Sequence, residues 1–139
     1  MLDRLQEEYS GKIRVEVHHM PWSTKSAQAA EAALCAADQG KFWEYHKVLF
    51  NYQEQWSAQD QPKDSFIEYA GYVGLNKQEF TNCTDSHKML DKVIEDKNYG
   101  QSLDVHMTPT IFINQERIVG NNPIDTYNEL IDRNLKEKI

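Results

Sequence analysis

No apolar run in this 139-residue chain approaches the roughly 20 residues that a membrane-spanning helix needs, and the mean hydropathy is −0.75. Membrane insertion is therefore not expected. Six glycines and four prolines are too few for a fibrous or low-complexity chain, and no repeat or linker divides it. Basic residues are outnumbered, 15 against 22 acidic, and the net charge of −7 has the wrong sign for a phosphate backbone. Nucleic acid and anionic membrane surfaces are not expected as partners on that ground. The opening residues, MLDRLQEEYSGK, are charged and amphipathic and do not read as a signal peptide. Paired carboxylates for acid–base work, glycine-rich phosphate loops and Ser-His-Asp arrangements have no counterpart. The five histidines lack ligand spacing: His18 and His19 adjoin on an expected strand and face opposite ways, while His46, His87 and His106 stand alone. Neither a metal nor any other cofactor is expected.

What is present is one domain's worth of helical and strand signals. Leu2, Leu5 and Tyr9 mark a short helix closed by Gly11. Ile13, Val15 and Val17 alternate with Arg14, Glu16 and His18, which predicts a half-buried strand ended by Met20-Pro21-Trp22. Ser23 or Thr24 caps an alanine-rich helix, and Gly40 provides its corner. Residues 41–53 form the next helix, and polar residues 54–62 read as a loop ending in Pro62. Helices are then expected around Phe66–Val73, from an Asn76 cap through Phe80, and from near Ser86 to Leu103. Thr110–Gly120 predicts a β-hairpin with its turn near Asn114–Glu116, and Pro123 leads into a last amphipathic helix. The stripe Phe42, Trp43, Tyr45, Phe50, Tyr52 and Trp56 has the spacing of core packing, with a peptide-binding surface as the sharper alternative. Asn82-Cys83-Thr84 matches a glycosylation sequon, a weak pattern without a secretory signal.

Three segments, in order, resemble the DsbA-like branch of the thioredoxin-fold thiol–disulfide oxidoreductases. They are Ala36-Ala37-Asp38-Gln39-Gly40-Lys41-Phe42-Trp43-Glu44-Tyr45-His46 with Leu49-Phe50; Tyr69-Ala70 through Gly74-Leu75 to Phe80 and Cys83; and Thr108-Pro109-Thr110-Ile111-Phe112-Ile113-Asn114 with Ile118 and Gly120. The resemblance implies an α/β, thioredoxin-like (DsbA-type) fold over residues 1–139 as a single domain, with residues 23–104 the helical insertion. Most X–Pro bonds are trans, but the resemblance implies a cis bond before Pro109. It also implies a substrate groove shaped by Met107, Thr108 and Pro109 that holds extended peptide or protein substrates. An extracytoplasmic, periplasmic setting goes with it.

The departure from the family is as informative. Its members act through a C-x-x-C pair at a helix N-terminus, which lowers a thiolate pKa. Here Cys35 and Cys83 lie far apart and no such motif exists. Aligned on the resemblance, the first core strand and the catalytic turn are missing, so the chain reads as truncated and redox-inactive despite its enzyme ancestry. No catalytic residue is named. Losing a core strand leaves two open edges, and unpaired edges recruit strands. The expected outcomes are a homodimer, a strand-swapped oligomer or re-pairing within the chain. A non-catalytic peptide-binding or oligomerising thioredoxin-like module is the alternative function.

The cysteines carry two readings. Cys35, among Leu34, Ala36 and Ala37, suits a small buried hydrophobe, and Cys83 sits in a polar, loop-like stretch. The resemblance implies instead a structural Cys35–Cys83 disulfide, since some DsbA-like proteins carry a second pair at similar places. Such a bond suits an oxidising compartment, and free thiols suit a reducing one.

Overall fold

The computed structural model describes residues 1–137. Its elements are α1 (Leu2–Glu8), α2 (Thr24–Asp38), α3 (Phe42–Asn51), α4 (Gln53–Ser57), α5 (Lys63–Tyr72), α6 (Lys77–Asp85), α7 (Leu90–Ser102), β1 (Thr110–Ile113), β2 (Glu116–Val119) and α8 (Ile124–Glu137). They group into two compact units: His19–Tyr99, and Met1–His18 together with the chain from Gly100 onward.

The His19–Tyr99 unit is helical because local signals start and stop each helix. Ser23 and Ser26 form a reciprocal cap at the start of α2, each hydroxyl accepting the other residue's backbone N–H at 3.1 and 2.9 Å. At its other end Gly40 takes φ +77°, so that Lys41 N–H reaches the Ala36 carbonyl and Gly40 N–H reaches that of Ala37. His87 plays glycine's part after α6 with φ +53°, an uncommon conformation for a side chain-bearing residue. Its bonds repeat the pattern, with Lys88 N–H on the Cys83 carbonyl.

Alanines 29, 32, 33 and 36 let other helices approach α2 closely, and Tyr45, Leu49, Trp56, Phe66, Tyr69 and Phe80 complete the core. Two buried donors in this core are matched: the Tyr45 hydroxyl donates to the Phe66 carbonyl at 2.9 Å, and Trp56 Nε1 donates to the Leu49 carbonyl at 2.8 Å. A second face of α2, Ala30 and Leu34, packs on Val93 of α7. The expected loop over 54–62 is in part helix α4, anchored by buried Trp56. The helix expected near Ser86 begins only at Leu90, because His87 breaks the path.

In the other unit, β1 and β2 pair antiparallel, Thr110 opposite Val119 and Ile113 opposite Glu116, around an Asn114-Gln115 turn with Asn114 at φ +54°. Leu5 and Tyr9 of α1 and Tyr127 and Ile131 of α8 pack with Ile118, and Ile13, Ile111 and Ile113 lie against them. The strand expected over 13–17 is corrected. Ile13, Val15 and Val17 are half-buried and Arg14 and Glu16 exposed, as the alternation predicts, but the segment joins no sheet. Strand identity needs a hydrogen-bonded neighbour, and the sheet among the described residues is β1 and β2 alone.

Candidate functional site

Met107, Thr108 and Pro109 lie exposed in the loop entering β1, and the Thr108–Pro109 bond is cis. Proline cannot donate to a ladder, so the strand starts one residue later. The loop is tied to the hairpin at several points. Gly120 N–H donates to the Pro109 carbonyl at 2.8 Å, and the Thr110 hydroxyl donates to that of Met107. Arg117 of β2 donates to the carbonyls of Leu103 and Asp104, and its guanidinium lies 4.9 Å from the Phe112 ring centre. Held this way, the Met107 side chain is presented to solvent at 58% exposure. A flexible thioether on a braced backbone is an adaptable apolar contact. Arg117 was not among the sequence-derived candidates, since nothing local signals that it reaches back 13 and 14 residues.

The two cysteines are joined. Cys35 on α2 and Cys83 on α6 form a disulfide with Cα atoms 5.9 Å apart, 48 positions separated in sequence. Cys83 is not in a loop: it lies on the inner face of α6 and is 8% exposed, while Cys35 is 1% exposed. One helical turn along α2, the Glu31 carboxylate is buried and meets Nδ1 of His87 at 2.9 Å. His87 is thus not isolated from a carboxylate, as its sequence context suggested. Asp38 and Lys88, at 2.6 Å, form a third tie between the same regions on the exposed side. The cavity beside Glu31 and His87 measures about 240 Å³, below the roughly 300–1,000 Å³ of ligand pockets.

His19 and His46 make ring contacts around Phe42, at 6.1 and 5.5 Å between centroids, and His18 lies 3.7 Å from Glu16. Among the described residues no three His, Cys, Asp or Glu side chains converge as a metal site. The aromatic stripe divides: Tyr45 and Trp56 are buried, Phe42 and Trp43 half-buried, and Phe50 and Tyr52 exposed. No described helix is long and apolar enough to cross a membrane.

A short β-hairpin with a proline at its entrance, flanked by α1 and α8 and joined to a helical insertion, defines a thioredoxin-like fold. A crystal structure of a thioredoxin-like oxidoreductase from Silicibacter pomeroyi DSS-3 superposes on it with a TM-score of 0.77, covering 97% of this chain and 77% of that one at 19% identity. The family model described as thioredoxin matches residues 1–133, and the chain belongs to that family. Among curated relatives, a putative protein-disulfide oxidoreductase of Rickettsia felis is 23% identical over 130 residues, 93% of this chain and 46% of that protein. The Na(+)/H(+) antiporter NhaA of Herminiimonas arsenicoxydans is 29% identical over 118 residues, 85% of this chain and 18% of that protein. The chain therefore spans less than half the length of these curated relatives.

Proposed function

We propose that this chain is a DsbA-like member of the family that holds extended peptide at Met107, Thr108 and Pro109 without itself exchanging disulfides. The observation that supports the non-catalytic half is that both cysteines are bonded to each other, with Cys35 almost wholly buried. Exchange requires a thiolate that can reach a substrate sulfur. The sequence contains no third cysteine to serve as one. The peptide-holding half rests on the braced, exposed loop and on the family's relation to disulfide oxidoreductases. Residues 1–139 act as a single domain in this reading, with residues 23–104 the helical insertion. An extracytoplasmic location follows from the same reading, because buried structural disulfides persist in oxidising compartments.

The test pairs two assays on the full chain. Insulin reduction in the presence of dithiothreitol should stay at the uncatalysed background, and turnover clearly above it would sink the non-catalytic reading. Binding of a fluorescent unfolded-protein peptide should survive Cys35→Ala/Cys83→Ala and be lost in Met107→Asp. Equal binding by wild type and Met107→Asp would remove the loop from the site.

A further inference from the structure

Glu31 stands in the middle of α2, where Ala29, Ala30, Ala32 and Ala33 on either side of it are buried. Its own side chain is 7% exposed. A carboxylate taken that far out of water is costly unless it is paired. Oε1 meets Nδ1 of His87 at 2.9 Å, and Oε2 has no hydrogen-bond partner among the described residues. One bond to an imidazole that is itself 61% exposed leaves a buried anion under-compensated.

The carboxylate does not end in solid packing. It lines a cavity of about 240 Å³ bordered by α2, α5 and α6, together with Gln28, Phe66, Thr84, Asp85 and His87. The polar lining is weighted towards acceptors. Thr84 already donates its hydroxyl proton to the Thr81 carbonyl at 3.1 Å, which leaves the oxygen lone pairs to accept. Asp85 gives Oδ1 to Lys63 at 2.7 Å, and both of these side chains are about half exposed, so Lys63 is held at the rim. The second oxygen of Asp85 and Glu31 Oε2 are further acceptors, carried by two different helices around one cavity.

A fitting ligand is cationic, carries several N–H groups and tolerates an apolar wall. A guanidinium meets each condition. It has five donors in a planar fork, and it is less strongly hydrated than an ammonium, so burial against Phe66 costs it less. The volume admits a side-chain head and not a whole metabolite. A free amino acid would also bring its own carboxylate to a chain of net charge −7, whereas a residue inside a polypeptide brings none.

We propose that this cavity binds the guanidinium of an arginine presented by a partner polypeptide, with Glu31 Oε2 as its charged acceptor and Thr84 and Asp85 completing the cradle. The site lies wholly within the His19–Tyr99 unit and owes nothing to the reading of the Met107–Pro109 loop.

The test titrates the isotope-labelled full chain by NMR, at low salt, with the blocked tripeptide acetyl-Gly-Arg-Gly-amide. Two control peptides carry lysine or citrulline at the centre; citrulline keeps the shape of arginine and removes its charge. Amide shifts should saturate one to one and centre on residues 28–31 and 84–87. The arginine peptide should bind about tenfold or more tighter than either control, and Glu31→Gln should lose about the same factor. Lys63→Met changes a half-exposed rim residue and should bind severalfold tighter, because it removes a competing cation and releases Asp85. Arginine and lysine peptides bound alike would reduce the effect to surface charge and overturn the guanidinium assignment. Shifts spread over the acidic surface, undiminished binding by Glu31→Gln, or weaker binding by Lys63→Met would each overturn the site. Binding of ethylguanidinium without binding of the tripeptide would make the ligand a free small molecule and overturn the polypeptide source.

Discussion

Breaking the Cys35–Cys83 bond should cost this protein about 4 kcal/mol of stability. The bond closes a loop of 48 positions between α2 and α6. In the chain-entropy account, releasing a loop of that length returns about 14 cal/mol/K to the unfolded chain, or about 4 kcal/mol at about 25 °C. The neighbouring Asp38–Lys88 pair is about half exposed and cannot compensate, because such pairs contribute about 0–1 kcal/mol. Urea unfolding followed by far-UV circular dichroism measures the loss. With a slope of about 2 kcal/mol per molar, the midpoint of the reduced protein should fall by about 2 M. The thermal midpoint should fall by about 12–16 °C. Cys35→Ala/Cys83→Ala should unfold close to the reduced wild type, since the constraint acts on the unfolded chain in both. Intact-mass analysis with an alkylating agent supplies the control: neither thiol should react before reduction, at the mass of a single chain. Oxidised and reduced midpoints within about 0.3 M of each other would refute the loop-closure reasoning.

Three further outcomes are expected. Tyr127→Phe deletes a hydroxyl that is buried without a hydrogen-bond partner among the described residues, so stability should hold or rise by up to about 1 kcal/mol in the same urea assay; a loss of about 1 kcal/mol would show the hydroxyl to be paired. Tyr45→Phe removes the donor to the buried Phe66 carbonyl and should lose about 1–2 kcal/mol, with an unchanged midpoint the contrary result. The Glu68 carboxylate accepts from the Tyr72 hydroxyl at 2.6 Å and, with the partial loss of hydration there, holds that phenol up to about 12. Because the folded pKa lies above the unfolded one of about 10, the folded chain keeps this proton longer. The associated stability is complete below pH about 10 and fades as pH rises through about 12. Ultraviolet titration should find this late tyrosine, and Glu68→Gln should bring it back toward the ordinary value.

Most helix boundaries were legible because their causes lie within one turn of chain. Ser23, Gly40 and Asn76 act on backbone groups two to five residues away, and each sits where its chemistry suggested. Helix α4 escaped notice because QEQWS is polar, and the residue that anchors it, Trp56, does so by packing and by a bond to Leu49. Cys83 read as part of a loop because α6 is mostly polar, and its burial comes from α2 lying across it. That residues 107–109 form the turn entering β1 was legible from Pro109 beside an apolar run. Arg117, which braces that loop, was not.

Composition, periodicity and caps were enough to establish a helical chain with one hairpin, an acidic surface and no C-x-x-C pair. The alternation of Ile13, Val15 and Val17 likewise showed which side chains face inward, because side-chain direction is a property of one strand. Whether that strand pairs, which helix covers Cys83, and which carboxylate meets His87 were decided only in three dimensions. A ladder, a disulfide and an ion pair each need two groups, and here the chain that separates them carries no local mark of where its ends will meet.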